Sequence, residues 1–78
     1  MNTSTLQSVI MNATDSGIEL RFNKYFDGIE VRATAYVGDS RIMVQETIKQ
    51  STIEIMGEHS LTIVAINTIK KVKDKISS

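Results

Sequence analysis

The sequence predicts an α+β fold: an antiparallel three- or four-stranded meander with an N-terminal and a C-terminal helix packed on one face. Three observations predict it. Apolar residues recur at helical spacing near both ends of the chain. Between Ile18 and Ile48 they alternate with a period of two. Asp27-Gly28 and Gly38-Asp39 interrupt that alternation, and both dipeptides have the chemistry of two-residue hairpin turns.

The first helix is read over about residues 4–14. Ser4-Thr5-Leu6-Gln7 has the form of a capping box, in which the Ser4 hydroxyl and the Gln7 amide satisfy free backbone donors reciprocally. Leu6, Val9, Ile10 and Ala13 follow as one apolar stripe, and Asp15-Ser16-Gly17 breaks it.

The register follows from the turns. With Asp27-Gly28 as a type I′ loop, Phe26 faces Ile29, Lys24 faces Val31, Phe22 faces Ala33 and Ile18 faces Val37. With Gly38-Asp39 as a loop that wants Gly first, Ala35 faces Ile42, Ala33 faces Val44, Val31 faces Glu46 and Ile29 faces Ile48. Both hairpins collect their apolar residues, Phe26 included, on one inner face, and that agreement specifies which side of the sheet is buried. Lys24 and Glu46 also fall on that face, flanking Val31, where they either meet as an ion pair or reach out to water.

Residues 51–57 are read as a short edge strand, because Ile53 and Ile55 alternate in a β-branched segment; the competing reading is a helix opened by the capping box Ser51-Thr52-Ile53-Glu54. Gly57 ends the segment, and Ser60 then caps a helix with the stripe Leu61, Val64, Ala65, Ile69, Val72 and Ile76.

Composition narrows the function. The 78 residues make a single small domain spanning 1–78. Nine basic residues balance nine acidic ones, so no overall field draws the chain to nucleic acid or an anionic membrane. There is no cysteine and only one histidine, His59, which is read as lying in a loop. Thiol chemistry, Cys-type zinc sites and His clusters are thereby excluded, and no metal or other cofactor is expected. None of the four glycines lies in a phosphate-cradling pattern, and no nucleophile motif surrounds the Ser and Thr residues, so an enzyme is not expected. The longest apolar run, Ile63 to Ile66, is far short of the roughly 20 residues of a membrane span. With no secretory signal, a cytoplasmic location is the expectation.

The outer face of the meander carries all three arginines and both tyrosines: Arg21, Tyr25, Arg32, Tyr36 and Arg41, together with Met43. Tyr, Arg and Met are enriched at the centres of protein interfaces, so the face reads as a partner-binding surface; the competing account is an ordinary solvated face with cross-strand pairs. The expected function is a non-enzymatic protein–protein interaction module, an inhibitor or regulator that occludes a partner's surface. Single-stranded nucleic-acid binding is the alternative on the same face, with the tyrosines stacking bases. Glu19 and Glu30 leave that face only one charge positive, which disfavours it. A self-associating structural subunit is a third reading, and the small core with no disulfide leaves a homodimer open.

A secondary basic patch comprises Lys70, Lys71, Lys73 and Lys75; against Asp74 they give residues 60–78 a charge of +3. Such a patch suits an acidic partner or a phosphate backbone, or simply complements the negative end of the helix dipole.

Overall fold

The computed structural model describes residues 5–77, in the order α1 (Leu6–Asp15), β1 (Ile18–Tyr25), β2 (Gly28–Val37), β3 (Ser40–Lys49), α2 (Gln50–Met56) and α3 (Glu58–Ser77). The three strands form one antiparallel sheet in the order β1-β2-β3. α1 packs on β1 and on α3, and α3 crosses β2 and β3, so both long helices cover the inner face. This is the predicted α+β architecture with a three-stranded meander.

α1 is opened by a capping box one residue beyond the predicted one. Ser4 lies outside the described residues; Thr5 Oγ1 accepts from the Ser8 backbone N–H at 3.1 Å, and Ser8 Oγ accepts from the Thr5 N–H at 3.2 Å. Val9 and Ala13 are buried, and Leu6 packs against the core.

The second hairpin has the predicted register. Val37 pairs with Ser40, Ala35 with Ile42, Val31 with Glu46 and Ile29 with Ile48, and Gly38 takes a φ of 61° in the turn. The first hairpin is displaced by two residues. Tyr25 pairs with Gly28, Lys24 with Ile29, Phe22 with Val31, Leu20 with Ala33 and Ile18 with Ala35, so the loop is Phe26-Asp27. A type I′ turn at Asp27-Gly28 would need positive φ at both residues, and among the described residues only glycines have it. Gly28 serves another purpose. It lies where β2 approaches β3 so closely that a Cβ would come within 1.9 Å of the Ile48 carbonyl oxygen. Because the displacement equals the pleat repeat, every side chain keeps its face. The exception is Phe26, which leaves the predicted inner face for the loop and is fully exposed.

Residues 51–57 do not form the expected edge strand. The Gln50 N–H donates to the Asp27 carbonyl at 2.7 Å, which turns the chain off the end of β3 and into α2. Ile53 then packs against the core and Ile55 is exposed, opposite sides that a helix gives to residues two apart and a strand does not. Gly57, at φ 68°, separates α2 from α3. α3 begins at Glu58, before the predicted cap, so His59 sits in its first turn rather than in a loop. Ser60 lies inside the helix, where its hydroxyl donates to the Gly57 carbonyl at 2.7 Å.

Ala65, Ile69 and Val72 of the predicted stripe are buried, whereas Ile76 is 40% exposed. Thr62 and Thr68 are also buried, and each returns its hydroxyl to the carbonyl four residues earlier. Four of the ten buried apolar residues are alanines, Ala13, Ala33, Ala35 and Ala65, which let the helices sit close to the sheet. The molecule is accordingly thin, 39 × 35 × 17 Å.

Candidate interaction surface

One helix layer covers one side of the sheet, and no described element covers the other. The strand pairings lay out that outer face in rows: Tyr36–Arg41, then Glu19–Thr34–Met43, then Arg21–Arg32–Gln45, then Asn23–Glu30–Thr47, and last Tyr25–Gly28–Lys49. Tyr36 is 67% exposed and Met43 42%. Five of the six predicted residues, Arg21, Arg32, Tyr36, Arg41 and Met43, therefore occupy three consecutive rows.

Tyr25 does not join them. It stands eight residues from Tyr36 along β2, about 26 Å away by strand rise. Its ring instead meets the neighbouring Phe26 ring edge-on, with centroids 5.8 Å apart. The two-residue displacement of β1 adds one row to this separation, because the predicted register would have set Tyr25 opposite Glu30.

The electrostatics of the face are local. Arg21 and Arg32 stand directly opposite each other, an unfavourable pairing of like charges. Each is held by the glutamate two residues earlier on its own strand: Arg21 to Glu19 at 3.1 Å and Arg32 to Glu30 at 3.1 Å. Asn23 also donates to Glu30, at 3.4 Å. Arg32 is the more enclosed arginine, and its Nε is buried without an acceptor among the described residues. Neither Arg41 nor Lys49 has an ion pair among the described residues, so the surplus positive charge is divided between the Tyr36 end of the face and the Tyr25 end.

The four C-terminal lysines have different surroundings. Lys71 reaches the sheet and pairs with Glu46. That contact replaces the meeting of Lys24 and Glu46 considered from sequence, since Glu46 shares a row with Phe22 and Lys24 is exposed one row away. Lys70 and Lys73 line a groove between α1 and α3, and Lys75 lies in the last turn of α3.

Sequence reasoning missed three exposed apolar side chains: Phe26 at the hairpin tip and, on α2, Ile55 and Met56. Their exposure depends on the loop position and on α2 being a helix, neither of which alternation could reveal. Among the described residues there is no cluster of His, Asp or Glu suited to a metal ion, and no helix is long and apolar enough to cross a membrane. Comparisons with protein families, curated proteins and solved structures return no match.

Proposed function

We propose that the protein is a non-enzymatic interaction module that docks another protein on its outer sheet face and thereby occludes the partner's working surface. The observation that carries this reading is the contiguity of Tyr36, Arg41, Met43, Arg32 and Arg21 on a face without a covering layer. Residues of these types concentrate binding energy at interface centres, with the surrounding polar side chains excluding water.

The test is affinity capture of the partner by the wild-type chain and by Tyr36→Ala/Arg32→Ala, with folding checked by circular dichroism. The double variant lowers capture at least tenfold, and the wild-type complex weakens only mildly with salt. Equal capture by the two proteins rejects the surface. Loss of the complex on nuclease treatment, with a steep salt dependence, replaces the proposal by nucleic-acid binding. Light scattering at twice 8.7 kDa without any partner assigns the face to self-association.

A further inference from the structure

The helix layer carries a second, unrelated feature on the opposite side of the molecule. α1 and α3 diverge enough to leave a groove of about 320 Å³. The core residues Val9, Ala13 and Ile69 close its base, Ile66, 41% exposed, forms its apolar wall, and Lys70 and Lys73 bring two cations to it from α3. Ser8 and Asn12 contribute from α1, and the Asn12 side-chain amide bonds no described residue. No carboxylate lines the groove, and neither Lys70 nor Lys73 has an ion pair among the described residues.

We propose that this groove binds a small amphiphilic anion, an unbranched acyl chain ending in a carboxylate. Three features select that chemistry. The volume is at the lower end of small-molecule sites, and the lining spans only about two helical turns, too short a seat for a partner helix. The apolar lining suits methylene groups rather than a polar metabolite. Lys70 and Lys73 are three residues apart on one helix, so their Cβ atoms are about 5–6 Å apart and the two ammonium groups can flank one carboxylate. The uncompensated positive charge sets the sign of the ligand.

The experiment is titration of the full chain with decanoate at neutral pH, below its micelle concentration, followed by calorimetry and by NMR shifts of the Val9, Ala13, Ile66 and Ile69 methyls. Decanoate saturates one site and shifts those methyls. Octanoate and hexanoate bind progressively more weakly, by about twofold per methylene, half of full transfer because the groove is open to water. Lys70→Gln/Lys73→Gln weakens decanoate at least fivefold. Ile66→Asp, at a position already 41% exposed, abolishes binding while the circular dichroism spectrum is retained. Decylamine, with the same chain and the opposite charge, does not saturate. The proposal is overturned if decanoate shows no saturable binding, if its shifts map outside the groove, if decylamine binds equally well, or if the double lysine variant binds like the wild type.

Discussion

Gly28 and Phe26, two residues apart, show how differently neighbouring side chains contribute to this fold. Gly28 is buried between Tyr25 and Lys49, and any Cβ there collides with the Ile48 backbone, which has no flexible end to move aside. Gly28→Ala is therefore expected to destabilise the chain by about 3 kcal/mol or more, at or beyond the upper end of overpacking effects. Phe26→Ser removes an exposed ring whose one aromatic contact is the edge of Tyr25, and its stability change stays within about 1 kcal/mol. Urea midpoints of the two variants, measured side by side, check both statements; a neutral Gly28→Ala would mean that the hairpin and β3 do not meet as described. The sequence pointed to the opposite assignment, with Phe26 in the core and Gly28 in the turn, for a definite reason. Asp-Gly is a strong local turn signal, whereas the need for a missing side chain at Gly28 arises only when a third strand is already in place. Arg32 belongs to the legible class: its position on the outer face follows from parity alone.

At the scale of elements, what depended on local periodicity could be read and what depended on distant partners could not. α1, the three strands and the inward stripe Ala65, Ile69 and Val72 are all visible as apolar repeats. α2 is not, because two β-branched isoleucines two residues apart read as one face of a strand, whereas Ile53 turns in and Ile55 out, as on a helix; the bond from Gln50 to Asp27 decides the matter, and those residues are 23 positions apart. Thr62 and Thr68 escaped notice because a hydroxyl reads as polar, while in a helix it can satisfy itself on its own backbone and be buried. The Glu46–Lys71 pair joins β3 to α3 across 25 residues. Both side chains keep contact with water, so the pair is worth little in stability. Lys71→Ala is expected to cost less than about 1 kcal/mol at low salt, and to become indistinguishable from wild type near about 1 M salt. Chemical denaturation at the two ionic strengths measures this, and a cost that survives high salt would instead assign Lys71 a packing role.

As a whole, the molecule is one helix layer on one sheet layer. Its radius of gyration is 12.8 Å, against about 11.5 Å for a compact chain of this length, in keeping with a slab rather than a sphere. All the buried apolar residues belong to a single cluster spanning α1, the sheet and α3. Unfolding is therefore expected to be one cooperative step, with a urea dependence of about 1 kcal/mol/M and coincident transitions by far-UV circular dichroism and tyrosine fluorescence. Separate midpoints for the two probes would contradict a shared core. The candidate surface was legible to the extent that faces were: alternation separated Arg21, Arg32, Tyr36, Arg41 and Met43 from the interior, but it could not fix how far β1 slides along β2. That sliding moved Tyr25 one row further from Tyr36. A strand whose polar and oily sides repeat every second position has more than one alignment that keeps oil away from water, and hydrophobicity alone does not choose among them. In this hairpin the alignment found is the one that brings the first residue of β2 hard against the third strand, a place that only a residue without a side chain can take.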